Sequence, residues 1–108
     1  MQHQRAIEAL GHALRREYGD AISRVIVFGS VARHEDHEGS DIDVMVVMDS
    51  EKLPVDWELE RAIRSVAFAV ELQRDVVFDL KVVAVGDWYG LKGHTPFMER
   101  VAEEGVTV

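Results

Sequence analysis

Apolar residues recur along the chain with two different periods, and these periods define most of its elements. Ala6, Ile7, Leu10, Leu14 and Tyr18 step by three and four, which predicts an amphipathic helix over residues 3–18 that stops at Gly19. The β-branched run "RVIVF" (24–28) ends at Gly29 and predicts a short buried strand. Ser30 to Ser40 opens with "SVAR", read as a helical turn or short helix, and continues as the charged loop "HEDHEGS". "DIDVMVVM" (41–48) predicts a second strand, and "DSEKLP" (49–54) a loop. Leu59, Ile63, Val66 and Val70 step by four, three and four, so a second helix is expected over 55–73. "DVVFDLKVVAV" (75–85) predicts a third strand, closed by "GDW". A short helix follows from Thr95 to Glu104, with Thr95 as N-cap, Pro96 as first residue and Gly105 as stop; "VTV" is a candidate edge strand. The order α-β-(α)-β-α-β-α predicts an α/β chain of the α+β two-layer type, a mixed sheet covered by helices. With 108 residues and no repeats or linkers, residues 1–108 are expected to form a single domain.

Composition narrows the partners. The chain is 47% hydrophobic and 30% charged, which suits a folded domain and not a disordered one. Cysteine is absent, which excludes disulfides and thiolate metal sites and fits a cytoplasmic protein. The N-terminal residues lack the apolar core of a signal peptide, and no apolar run is long enough to span a bilayer. Twelve Lys and Arg stand against twenty Asp and Glu, a formal net charge of −8. A nucleic-acid polymer is therefore not the expected partner, since its binders present a basic face. A nucleotide remains open, because a divalent cation can join its phosphates to protein carboxylates.

Carboxylates are where the pattern breaks. Strand side chains alternate faces, so Asp41 and Asp43 should point one way while Ile42, Val44 and Val46 enter the core. Two neighbouring carboxylates repel and resist ionisation together, a cost that a divalent cation removes. Oxygen-only ligands favour Mg²⁺ over Zn²⁺. The alternative is that both acids simply sit in water at the start of a strand. Asp79 interrupts the apolar run "VVFDLKVV", where an unpaired buried carboxylate would cost several kcal/mol. Alternation groups it with Val77 and Lys81, and it would stand beside Asp41 and Asp43 if the second and third strands are neighbours. A plain ion pair with Lys81 is the competing reading. His34 and His37 in "HEDHE", and His94 before the last helix, lack any further ligand set and are read as solvated loop residues.

Gly29 and Ser30 close the first strand. Glycine allows a ligand to approach the backbone, and Ser30 offers a hydroxyl and an N–H to an anion that Arg33 could also reach; the alternative is a plain turn with Arg33 in solvent. The combination of Gly29-Ser30, ten intervening residues, Asp41-x-Asp43 and a later lone Asp79 resembles the nucleotidyltransferase superfamily typified by DNA polymerase beta. Within it, "FGSVAR…GSDIDVMVV", the short length and the closing "PFMERVAEEGVTV" are similar to the minimal nucleotidyltransferases. The resemblance implies the polymerase beta-like fold. It also implies that Gly29, Ser30 and Arg33 bind the nucleotide, that Asp41, Asp43 and Asp79 are catalytic and hold two Mg²⁺, and that Asp79 activates the acceptor hydroxyl. In-line displacement at the α-phosphorus, with two metals on the attacking and leaving oxygens, is chemistry that three carboxylates suit.

Minimal members are commonly paired with a helical HEPN-domain protein. The resemblance therefore implies the antitoxin of a type VII-like toxin–antitoxin pair, forming a hetero-oligomer and transferring AMP from ATP to a tyrosine of the HEPN ribonuclease toxin (AMPylation). Two alternatives stand beside it. One is a non-catalytic antitoxin that neutralises its partner by contact alone. The other is a free-standing transferase of the aminoglycoside type.

Overall fold

A computed structural model describes residues 3–29, 41–91 and 95–108 of the chain. Helix α1 (Gln4–Tyr18) leads through a 3-10 turn (Gly19–Ala21) into strand β1 (Ile22–Phe28). Strand β2 (Ile42–Met48), helix α2 (Trp57–Arg74), strand β3 (Phe78–Ala84), helix α3 (Val85–Leu91), helix α4 (Pro96–Glu104) and strand β4 (Val106–Thr107) follow. The four strands form one sheet in the order β3-β2-β1-β4. β1 is antiparallel to both β2 and β4, whereas β2 and β3 run parallel. The sheet is therefore mixed, and the expected neighbourhood of the second and third strands is present.

Alternation along the strands sorts the core into two clusters. Val25 and Val27 of β1, Ile42, Val44, Val46 and Met48 of β2, and Phe78 of β3 meet the apolar stripes of α1 (Ile7, Leu10, Leu14) and α2 (Leu59, Ile63, Ala67, Val70). The opposite face gathers Ile26, Phe28, Met45 and Val47 with Trp88 of α3 and Met98 and Val101 of α4. The two long helices and the sheet make the principal layers, and the short helices cover part of the other face. β1 from Val25 and β2 from Val44 are thus buried on both faces, which is why these stretches read as unbroken apolar runs. Each fully buried Val, Ile or Leu contributes about 1.5–3 kcal/mol.

The helix ends follow local chemistry. The Asp56 carboxylate accepts from the Leu59 N–H at 2.9 Å and opens α2, while Thr95 Oγ1 accepts from the Met98 N–H at 3.1 Å and opens α4 ahead of Pro96. Gly19 ends α1 with φ 56°, a conformation that costs other residues a Cβ clash.

Three boundaries differ from the sequence expectation. β1 starts two residues early, at Ile22, because a register irregularity between Ile22 and Arg24 lets the polar Ser23-Arg24 step into the strand. β3 starts at Phe78 and not at Asp75: Asp75 takes a left-handed conformation (φ 55°) that caps α2, its N–H bonding the Glu71 carbonyl. Residues 85–91 form a helix where a simple closing turn is expected. Gly86 and Gly90 argue against helix locally, but Trp88 lies on this turn and is only 2% exposed in the second cluster, so burial outweighs propensity.

One polar arrangement spans layers. Glu71 is 8% exposed on α2. Its carboxylate accepts from the Phe78 N–H at 2.7 Å and from Arg64 at 3.1 and 3.2 Å, while Arg64 also donates to the Phe78 carbonyl at 2.9 Å. This clamp holds the first residue of β3 against α2. Glu71→Ala leaves a buried N–H and a guanidinium without their acceptor, so we expect a loss of about 2 kcal/mol in urea unfolding. Glu71→Gln, which keeps one acceptor, should lose less.

Candidate functional site

The parallel register sets Asp43 of β2 directly opposite Asp79 of β3. Asp43 shares its sheet face with Met45 and Val47 of the second core cluster, so it stands at the end of an apolar floor and is half-buried. Asp79 is exposed. Asp41 lies one residue before β2, exposed.

The Asp43 carboxyl is pushed above its ordinary value. Burial is the largest cause. The charge of Asp79, a hydrogen bond between the two carboxyl groups and the charge of Asp41 add to it, and Lys81 pulls in the opposite direction. Lys81 Nζ also sits 3.4 Å from Asp79 Oδ1. The ion pair weighed as a competing reading of Asp79 is thus present, yet it coexists with the Asp43–Asp79 encounter. It spans two exposed side chains and is too weak to account for two facing carboxylates.

Gly29 completes the described part of the site. It follows Phe28, which pairs with Asp43 across the ladder. Its φ is +72°, and a Cβ added to it would collide with the Asp43 carboxylate. Glycine is required here twice over, for backbone conformation and for space beside the acid. Beyond Phe28, the ring of Phe97 from α4 packs edge-on, with centroids 5.6 Å apart.

The structure therefore brings together Asp43, Asp79 and Gly29, with Asp41 near enough for its charge to act on Asp43. Among the described residues, no three His, Cys, Asp or Glu side chains converge closely enough to hold a metal ion on their own. A closed three-carboxylate cage is not what the backbone builds, since Asp41 lies outside the ladder that aligns the other two. The donor set is nevertheless of the right kind for Mg²⁺, which commonly takes one or two carboxylates and completes its shell with water and substrate phosphates. The place where the Asp43 and Asp79 carboxyl groups face each other is where a cation would relieve the repulsion. Ser30, Arg33, His34, His37 and His94 lie outside the described residues.

Two contributors escaped the sequence reading. Lys81 was visible only as a partner that would neutralise Asp79, whereas it also acts on Asp43. The Arg64–Glu71 clamp, which fixes the residue just before Asp79, left a faint signal: Glu71 falls next to Val70 in the inward stripe of α2.

Residues 7–100 match the profile of the nucleotidyltransferase domain. The chain belongs to the nucleotidyltransferase domain family. A Methanocaldococcus jannaschii protein with the provisional name of a protein adenylyltransferase is 41% identical over 49 residues, 45% of this chain and 49% of that protein. The match thus spans about half the length of that relative. Two crystal structures share the fold: one of a toxin–antitoxin with AMP-PNP (TM-score 0.57, 18% identity, 93% of this chain and 70% of that one), and one of a provisionally named nucleotidyltransferase from Sulfolobus solfataricus (TM-score 0.52, 20% identity, 94% and 84%). No helix among the described residues of this nucleotidyltransferase domain is long and apolar enough to cross a membrane.

The raised Asp43 value has a definite sign in stability. A carboxyl held above its unfolded value favours the fold below about pH 4 and loses that advantage as pH rises through the folded value. Metal-free wild type should therefore fall behind Asp43→Asn in urea midpoint as pH goes from about 4 to about 8. Mg²⁺ with ATP should close the gap for wild type only; a gap independent of pH would show that the Asp43 carboxyl is not raised in the fold. Gly29→Ala should cost about 1–2 kcal/mol from its backbone alone, read in the same urea titration, and should weaken Mg²⁺–ATP binding by displacing Asp43.

Proposed function

We propose that this nucleotidyltransferase domain transfers AMP from ATP to a hydroxyl of a protein, namely a tyrosine of a HEPN ribonuclease toxin, and so acts as the antitoxin of the pair. The observation that carries the reading is the alignment of Asp43 with Asp79 across the β2–β3 ladder, beside Gly29. The provisional name of the archaeal relative supports a protein acceptor, and the toxin–antitoxin neighbour with its bound nucleotide analogue supports the setting.

In this reading Asp41, Asp43 and Asp79 would hold two Mg²⁺ together with substrate phosphates and water, and the ions would supply charge neutralisation to the triphosphate and to the attacking oxygen. Gly29 leaves room for phosphate against the backbone, and Ser30 and Arg33 bind the nucleotide, a role resting on sequence alone. Asp79 accepts the proton of the incoming hydroxyl. The oxygen then bonds to the α-phosphorus, the bond to the bridging oxygen of pyrophosphate breaks, and pyrophosphate carries away the displaced electron pair. Lys81 keeps a positive charge beside Asp79 and limits the repulsion among the acids.

The test is transfer of label from α-labelled ATP, with Mg²⁺, to the product of the neighbouring gene. Label should appear on a tyrosine, disappear on metal chelation, and fall by about 10²-fold or more in Asp43→Asn and in Asp79→Asn. If those variants still protect fully from toxicity, neutralisation is by binding alone. If label passes to an aminoglycoside and to no protein, the acceptor is a small molecule.

A further inference from the structure

The backbone of β3 has a directionality that the acid site does not use. The Val77 carbonyl accepts from the Ile42 N–H at 2.9 Å, so positions 77, 79, 81 and 83 turn their backbone groups toward β2. Position 78 turns the other way, and there Glu71 and Arg64 occupy both its N–H and its carbonyl. Leu80 and Val82 follow Phe78 in the alternation. β3 is an edge of the sheet, and among the described residues no strand lies beyond it. The outward N–H and carbonyl groups of Leu80 and Val82 are thus presented to the outside. Beside them runs a groove of about 480 Å³ lined by Glu60, Arg64, Leu80, Lys81, Val82 and Val83.

Natural edges are normally blunted, because such a row of groups invites another strand. Here the blunting is local. The clamp closes the edge at Phe78, Lys81 adds a single charge, and two successive outward positions stay open. Their spacing, about 7 Å for two residues, is the repeat of an extended chain and not of a helix.

We propose that this open edge is a docking site for an extended polypeptide segment, which adds to the sheet beside β3 and brings an acceptor hydroxyl to Asp79. The occupant is set by chemistry: a backbone with alternating donors and acceptors is what satisfies Leu80 and Val82 together. Side chains of the added strand alternate, one set over the groove and the other on the face of Asp79 and Lys81. The clamp at Phe78 ends the pairing next to Asp79, so the acceptor residue is held at the end of the added strand. Main-chain pairing supplies affinity with little demand on sequence, and the groove supplies selectivity. The acceptor part of this proposal rests on the protein-acceptor reading above; the docking part does not.

The experiment uses the whole chain and a synthetic pool of random-sequence peptides, each with one central tyrosine. Peptides selected for binding should lose about tenfold or more affinity for Val82→Pro, which removes an outward N–H. They should slow amide exchange at Leu80 and Val82, and N-methylation along the peptide should abolish binding at every second position. Val82→Pro should bind Mg²⁺–ATP as wild type does, since that N–H is outside the β2 ladder. Should this variant fail to fold, amide exchange and the N-methylation series on wild type decide the matter. Equal binding by Val82→Pro, the absence of any binder, or binding without protection at Leu80 and Val82 overturns the proposal. Peptides that dock on the edge but take no label from ATP leave the docking site standing and sink the protein-acceptor reading. Labelled peptides that leave the edge unprotected do the reverse.

Discussion

Two carboxylates facing each other across a parallel strand pair are the constraint around which this molecule is built. Like charges at that distance repel, and one of them, Asp43, is also partly withdrawn from water. A domain of this size has only a small stability margin, so such an arrangement survives because the rest of the sheet overdetermines it. Apolar residues on both faces of β1 and β2 hold Asp43 at a fixed height. The β2–β3 register then leaves Asp79 no choice of neighbour. Gly29 gives up a side chain so that the Asp43 carboxylate has somewhere to be.

The sheet is graded from centre to edge, and the grading places the chemistry. β1 and β2 are buried on two faces, where any carboxylate without a partner would be prohibitively costly. β3 is buried on one face through Phe78, Leu80 and Val82, and leaves Asp79 and Lys81 in contact with solvent. A charged site is affordable at that boundary: dry enough on the Asp43 side to strengthen electrostatics, wet enough on the Asp79 side to admit substrate. The Arg64–Glu71 clamp belongs to the same logic, because an edge strand lacks a second ladder to hold it and must be tied from above by α2.

Membership of the nucleotidyltransferase domain family fits this physical picture without depending on it. The family profile spans nearly all of the described elements, and the two structural neighbours share the fold at low identity. The acceptor is a separate matter, decided by surfaces such as the free side of β3.

Local periodicity determined a good deal of this protein. The stripes of α1 and α2, the Thr95-Pro96 start of α4, the apolar runs of β1 and β2 and the small strand at the end are all legible, because each is governed by neighbours within a few residues. The suspicion about Asp43 and Asp79 was legible too, since charge inside an apolar run demands a reason. Tertiary structure alone decided the remainder. That Asp43 meets Asp79 while Asp41 stands aside depends on strand order and register, which no local pattern encodes. The helix at 85–91 exists because Trp88 finds a buried site across the sheet, against the preference of its two glycines. The late start of β3 and the clamp that follows it come from a left-handed turn at Asp75 and from Glu71 meeting a backbone N–H seven residues away. Sequence specifies what each segment must bury; only the packed sheet specifies which charges are left to face each other.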